Sequence, residues 1–262
     1  MAEPFTFVQV SDTHLEANPR AIVHGVSPYV RLEACVEHIR ALKPRPAFAL
    51  FTGDLVNDDD PTSYEHVRKI ASWLDLPVHY AVGNHDVRLE VRRVLLEEDR
   101  PSEAPLYYAF SHEGVRFFVL DSQVPGEIAG ALDDEQLDWL ASELSAQPTA
   151  PSFVVLHHPP APAGIAWLDE HTADGGDRLL ELLSRAPGVR AVLFGHVHMP
   201  VSMLVSGVHL LGVPSTGYQF GDEVNTPKVY GAPGAYRVVR LEGDRVSTWL
   251  NRFDLGNGHA RA

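Results

Sequence analysis

Five short polar groups in this chain carry side chains able to hold a metal ion: Asp12-Thr13-His14, Gly53-Asp54, Gly83-Asn84-His85-Asp86, His157-His158-Pro159-Pro160 and Gly195-His196-Val197-His198. Carboxylate, amide and imidazole donors gathered without a thiolate form the donor set of a centre for borderline and harder ions. Each group directly follows a short apolar run that reads as a β-strand. Five strands would therefore deliver polar residues at their carboxyl ends, where open α/β sheets place ligand sites. Any one group alone could merely cap a strand or shape a turn. Five in one chain ask for a common purpose.

The elements that must position these groups follow from the apolar periodicity. Strands are expected over residues 5–10, 47–52 and 78–82, with helices over 28–42 and 62–74 between them and a short helix over 87–96. Residues 107–111 and 115–120 read as a hairpin turning at His112-Glu113-Gly114. Asp133 and Gln136 open a helix over 133–145 with the spacing of a capping box. A strand over 152–156, a helix over 177–185 and a strand over 191–194 complete the alternating part. From Val201 the helices stop: 201–205, 208–211, 235–241 and 246–251 read as antiparallel strands joined by Gly-containing turns. Alternating units followed by a β-rich end point to two packed sheets flanked by helices. The Gly-, Pro- and aromatic-rich stretch from Pro214 to Pro233 is a long loop, and loops of that length are often functional. On this reading residues 1–213 are the core, and 214–262 a loop and β-rich tail that completes the second sheet and is a candidate oligomer contact.

Composition bounds the function classes. At 262 residues, 45% hydrophobic and 21% charged, the chain has the make-up of one globular unit with a large core. A formal charge of −14, with 21 scattered Lys and Arg, provides no basic stripe for a nucleic-acid polymer. No apolar run approaches the ~20 residues of a membrane helix, so no membrane partner is expected. The first residues lack the basic and apolar regions of a signal peptide, which makes a cytoplasmic setting the default. The single cysteine, Cys35, falls in a helical pattern and reads as a buried packing residue. Of the 14 histidines, His38, His66, His112, His209 and His259 read as ordinary surface or core residues.

Taken together the five groups resemble the calcineurin-like metallophosphoesterase superfamily, whose pattern D-x-H, G-D, G-N-H-D/E, H and G-H-x-H is present in full and in order from Phe5 to about Gly217. Gly53-Asp54-Leu55-Val56-Asn57, His157-His158-Pro159-Pro160 and Pro214-Ser215-Thr216 look like its class III cyclic-nucleotide phosphodiesterase and glycerophosphodiesterase branch. The resemblance implies an α/β fold, a four-layer α/β/β/α sandwich of two mixed sheets flanked by helices. It also implies two divalent or mixed-valence metal ions (Fe, Mn, Zn or Co). Carried over residue by residue, Asp12, His14 and His198 would hold one ion and Asn84, His157 and His196 the other, with Asp54 bridging. The pocket would then be positive despite the acidic chain, and hydrolysis would proceed by attack of a water activated between the ions. His85 would donate to a phosphoryl oxygen or protonate the leaving alkoxide, and Asp86 would orient its ring and raise its pKa. His158 is expected behind the ligands. Asn57 would fix the Asp54 loop by an Asx-type bond. His24, Tyr29, Tyr218 and Gln219 could line the pocket or simply pack.

One departure bears on the substrate. Phosphoprotein phosphatases of the superfamily read G-D-x-V-D-R-G at the second group, with an Arg that clamps a dianionic monoester. This chain has Asn57-Asp58-Asp59 there and no Arg. With Asp58 and Asp59 facing the site, a monoanionic diester is favoured. The expected function is a metal-dependent phosphodiesterase for small molecules: cyclic nucleotides, glycerophosphodiesters or aryl diesters. The alternatives are a phosphomonoesterase, or a non-catalytic metal-binding scaffold of the same fold; every ligand position being filled argues against the scaffold.

Overall fold

A computed structural model describes residues 3–221, 226, 228–230 and 232–255. The chain runs β1 (Phe5–Val10), α1 (Pro28–Arg40), β2 (Ala49–Thr52), α2 (Pro61–Ser72), β3 (Val78–Ala81) and α3 (Arg88–Glu90), the last continued by a π-helical turn over Val91–Leu95. Next come β4 (Tyr108–His112), β5 (Val115–Val119), α4 (Asp134–Ala146), β6 (Ser152–Leu156), α5 (Ala166–Asp169), α6 (Gly176–Ser184) and β7 (Val189–Phe194). The last part is all β: β8 (Val201–Val205), β9 (Val208–Gly212), β10 (Gln219–Phe220), β11 (Val229–Tyr230), β12 (Gly234–Glu242) and β13 (Arg245–Phe253). The expected elements are all present, with ends that coincide or shift by one or two residues. The short α5 and the two-residue pair β10–β11 carry too little periodicity to be read from sequence.

The helices begin where local chemistry starts them. Ser27 and Asp60 accept from the N–H groups of Val30 and Thr62 ahead of Pro28 and Pro61, whose fixed φ and missing N–H suit the first helical position. Asp133 likewise accepts from Gln136 N at 2.8 Å. The reciprocal half of the expected capping box does not form. The Gln136 amide instead takes both backbone groups of Asp121, at 2.6 and 2.9 Å, because that buried peptide has no other partner in reach.

Two sheets result, in the orders β13-β12-β1-β2-β3 and β4-β5-β6-β7-β9-β8. β1, β2 and β3 are parallel, as are β5, β6, β7 and β9, so their carboxyl ends share one edge. Three apolar clusters define the four layers. Leu32, Cys35, Val67 and Ile70 bury α1 and α2 on the first sheet. Leu137, Leu140, Leu179 and Leu183 bury α4 and α6 on the second. Phe7, Phe48, Phe117 and Phe153 pack between the sheets, with Phe7 stacked on Phe48 at 5.0 Å and edge-on to Phe117 at 5.3 Å. Each such ring contributes about 1.5–3 kcal/mol by burial. Cys35 is buried and burial pushes its thiol pKa up, in keeping with a packing role.

One expectation about the tail is corrected. Strands β12 and β13 do not complete the second sheet; β12 pairs antiparallel with β1 in the first, and the second is closed earlier by β8 and β9. The free edge of β1 is what the returning chain finds. Reaching it requires the segment after Gly212 to cross from one sheet to the other over the shared carboxyl edge, and Ser215 and Thr216 make that crossing, bonded to Ala235 N and Ser11 O. Among the described residues no helix is long and apolar enough to cross a membrane.

Candidate metal centre

The five polar groups converge at the seam where the carboxyl ends of the two sheets meet. Asp12 and His14 follow β1, Asp54 follows β2, and Asn84 and His85 follow β3; His157 and His158 follow β6, and His196 and His198 follow β7. Bonds across the seam hold these loops in register. The Asp12 carboxylate accepts from His196 N at 3.1 and 3.2 Å, and His157 Nδ1 donates to Thr52 O at 2.8 Å. From the loop after β9, Ser215 Oγ donates to Asp12 O at 2.7 Å.

The turns that aim the ligands are conformationally costly. Asp12, His14, Asp54, His196 and His198 all have positive φ, between 47° and 65°. Non-glycine residues enter that region at a cost of order 1–3 kcal/mol each and collect at functional sites. Glycine makes the close approach of the loops possible. A Cβ on Gly53, itself at φ 90°, would stand 2.5 Å from His157 Nδ1, and one on Gly83 would run into the Asp54 carboxylate.

Two foci of donors form. Ligand atoms of Asp12, His14, Asp54 and His198 lie within 4.8 Å of one another, as do those of His157, His158 and His196. Around the first focus His14 Nε2 faces His198 Nε2 at 3.1 Å, while His198 Nδ1 donates to Tyr218 O at 2.8 Å. Around the second, Asn84 Oδ1 lies 3.2 Å from His157 Nε2 and 3.1 Å from His196 Nδ1. With its Nδ1 donating to Thr52 O, a neutral His157 ring would present its Nε2 lone pair to the Asn84 and Asp54 oxygens. Such acceptors approach one another only around a proton or a cation, and this is the arrangement a metal requires. Asp54 stands between the foci, with Oδ2 3.3 Å from His157 Nε2 and 3.8 Å from His14 Nε2, and Oδ1 accepting from His85 N at 2.9 Å.

The electrostatics agree. Burial opposes ionising Asp54, but His157 and His14 outweigh it and hold the carboxyl well below the usual range. The same contact works on His157: burial lowers its pKa, yet Asp54 and a hydrogen bond to it bring the ring up to about 9. His14 is pushed down to about 3 by burial, so its ring is neutral and its nitrogen free to ligate.

The other expected site residues fall in different places. His158 sits in the second focus, but both ring nitrogens are committed, Nδ1 to Ser122 Oγ at 2.8 Å and Nε2 to Ile128 O at 3.0 Å. It braces the loop behind His157. His85 is exposed above the foci, its ring edge-on to His14 at 4.9 Å. Asp86 does not orient that ring: its carboxylate accepts from Gly83 N at 2.8 Å, Leu55 N at 3.0 Å and Val56 N at 3.4 Å. It is buried, so its acceptors serve the adjacent amides and lock the Asn84 loop to the Asp54 loop. Asn57 makes no Asx turn and instead donates to Glu16 Oε1 at 2.9 Å. Asp58 does not face the site either, being bound to Ala17 N and the Ser63 hydroxyl. His24 and Tyr218 line the cavity, whereas Tyr29 bonds Lys69 and Gln219 bonds Ser215 O.

A sixth contributor escaped sequence reasoning. β5 ends in Leu120-Asp121-Ser122-Gln123, an apolar run closing on polar residues like the other five. Asp121 holds the Arg88 guanidinium at 2.7 and 3.0 Å, Ser122 holds His158, and Gln123 Nε2 donates to Gly83 O at 2.7 Å. Without an Asp-x-His or Gly-Asn-His signature the stretch gave only the strand-end position as a signal.

A fold of two sheets between helices, with Asp, Asn and His converging on two adjacent foci at one sheet edge, defines the dimetal phosphoesterases. The chain belongs to the calcineurin-like phosphoesterase family, which it matches over residues 5–200. It is 31% identical over 254 residues to a 3′,5′-cyclic-nucleotide phosphodiesterase of Nostoc, covering 96% of this chain and 92% of that protein. It is 32% identical over 214 residues to a probable glycerophosphodiester phosphodiesterase of Arcobacter nitrofigilis, covering 81% and 78%. A dimetal phosphatase from Danio rerio has the same fold, with a TM-score of 0.72 at 16% identity over 96% of this chain and all of that one.

Proposed function

We propose that this protein is a binuclear-metal-dependent phosphodiesterase acting on small diesters: cyclic nucleotides, glycerophosphodiesters or aryl diesters. The observation that carries this reading is the pair of donor foci joined by Asp54 on the floor of one cavity of about 380 Å³. The likeness to the Nostoc 3′,5′-cyclic-nucleotide phosphodiesterase and to the probable glycerophosphodiester phosphodiesterase of Arcobacter supports it. In this reading Asp12, His14 and His198 hold one divalent ion, Asn84, His157 and His196 the other, and Asp54 both. The donor set suits iron, manganese, zinc or cobalt. Bound there, the two cations would supply an activated water and neutralise phosphoryl charge.

The protein's own groups do the rest. His85 projects into the cavity beside Asn84, where its imidazole can donate to a phosphoryl oxygen or to the departing alkoxide. Its backbone N–H, bonded to Asp54, ties the position of the donor to the position of the bridge. Asp86 serves that geometry through three amides. Among the described residues no Lys or Arg lines the cavity, and the nearby Arg88 is committed to Asp121 and Gln123 O. A monoester dianion would find no cationic clamp for its third oxygen, while a diester carries an ester group in that position at little electrostatic cost.

The test is a turnover panel on metal-loaded protein at pH 7–8. The kcat/KM for bis-p-nitrophenyl phosphate should exceed that for p-nitrophenyl phosphate at least ~10-fold, about 1.4 kcal/mol of differential transition-state binding. A reversed ratio would sink the diesterase assignment and favour a phosphomonoesterase on the same centre.

A further inference from the structure

Two cavities open on either side of Asn84 and His85, and they differ in kind. One, of about 370 Å³, is polar, with Asn57, Asp59, Arg88, Glu103 and Gln123 on its walls. The other holds the donor foci on its floor, and facing them is an apolar wall of Ile128, Trp167, Leu168, Phe220 and Val229. Trp167 and Phe220 meet edge to face with ring centres 5.1 Å apart. His24 and His171 line the same cavity beside that wall.

The wall is tied to the floor. Phe220 stacks on His198 at 4.4 Å and 24°. Tyr218 stacks on His14 at 5.0 Å and through its carbonyl holds His198. Ile128, although 57% exposed, has its carbonyl bonded to His158 at 3.0 Å. The ring faces therefore sit at a set distance from any phosphorus held over the foci. Exposed large apolar side chains rimming such a cavity mark a surface meant to be covered.

Resting on the phosphodiesterase reading, we infer that Trp167 and Phe220 form a specificity wall that takes a planar aromatic ring of the substrate's ester group, a nucleobase in a cyclic nucleotide. It follows that a diester of glycerol gains no stacking there. A phosphate seated at the foci points one substituent at this wall. A flat ring gains stacking and apolar burial there. A glycerol arm has no ring to stack and gains less from that wall.

The experiment compares wild type with Trp167→Leu, which keeps apolar bulk without the indole, and Trp167→Phe, which restores a ring. Metal content is measured in each. For 3′,5′-cyclic AMP, Trp167→Leu should lower kcat/KM about 10-fold, and Trp167→Phe should recover to within about 3-fold. For glycerophosphoethanolamine both should stay within about 3-fold of wild type. Independently of turnover, AMP should quench indole fluorescence, glycerol phosphate should not, and the quenching should vanish in Trp167→Phe, which leaves the other three tryptophans in place. Equal losses on both substrates at unchanged metal content, or no quenching by AMP, would overturn the wall. Wild type that hydrolyses no diester would overturn the phosphodiesterase reading instead, and the AMP quenching would still decide the wall.

Discussion

Two residues carry the sharpest consequences. Asp54 is the one side chain facing both foci, and it is shared between them because its loop is pinned by His85 N on one oxygen and open on the other. Asp54→Asn removes the common charge, so metal content should drop from two ions per chain toward one or none. Diesterase activity should drop by at least ~10³, the scale of losing the activated water. Two ions and near-normal turnover in this variant would show that Asp54 is not the bridge. His85 touches neither focus as a ligand, so His85→Ala should keep both ions. Its kcat should fall ~10²–10⁴ on substrates with poor leaving groups, and less with p-nitrophenolate, which departs without a proton. Loss of metal would instead make His85 a ligand.

At the level of elements, the site is a set of strand-end loops that must approach more closely than side chains allow. Gly83 lies where any Cβ would meet the Asp54 carboxylate and backbone, and its carbonyl is held by Gln123 from β5. Gly83→Ala should therefore push the Asn84 and Asp54 loops apart. The cost should be about 1–3 kcal/mol in urea unfolding, as for other overpacked sites, together with weaker binding in a metal titration. Unchanged stability and metal affinity would mean that the loops have slack. This close approach was partly legible: the Gly-Asp and Gly-Asn-His signatures mark the loops, and the apolar runs before them mark the strands. The Asp121-Ser122-Gln123 loop has the same construction but no signature, and its role emerges only when its strand is seen beside the others.

Across the whole molecule, the edges of the two sheets are clasped together. His79 of β3 stacks on Phe110 of β4 with ring centres 3.5 Å apart, and Tyr108 Oη bonds both backbone groups of Tyr80. On the far side Arg237 of β12 donates to Gly212 O of β9 at 2.7 Å. Burial, and to a lesser degree His112, lowers the His79 pKa to about 4. The folded state therefore resists a proton that the unfolded chain accepts near pH 6.5. Stability from this residue is intact above pH 6.5 and is lost as pH falls toward 4, by about 1–2 kcal/mol at pH 5 once partial exposure is allowed for. His79→Phe should keep the stack and remove that slope. Urea unfolding of metal-free protein at pH 7 and pH 5 measures it, and an unchanged slope would place His79 outside the clasp.

What the amino-acid order determined by itself was chemistry and local form. Donor types pointed to a metal centre and the family resemblance named the seven candidate ligands, while apolar periodicity, with a cap at Asp133, located the strands and helices, because these depend on contacts a few residues apart. Where each oxygen and nitrogen is used was decided by tertiary structure. Asp86 turned from His85 to three backbone amides, Asn57 to Glu16, Asp58 to Ala17 and Ser63, and Gln136 to Asp121, because each buried polar group takes the partner that the fold leaves within reach. The tail joined the first sheet, where β1 left an unpaired edge for it. The aromatic wall over the donor foci joins Ile128, Trp167 and Phe220, residues far apart in the chain that the loops after β5, β6 and β9 bring to a single cavity at the carboxyl edge.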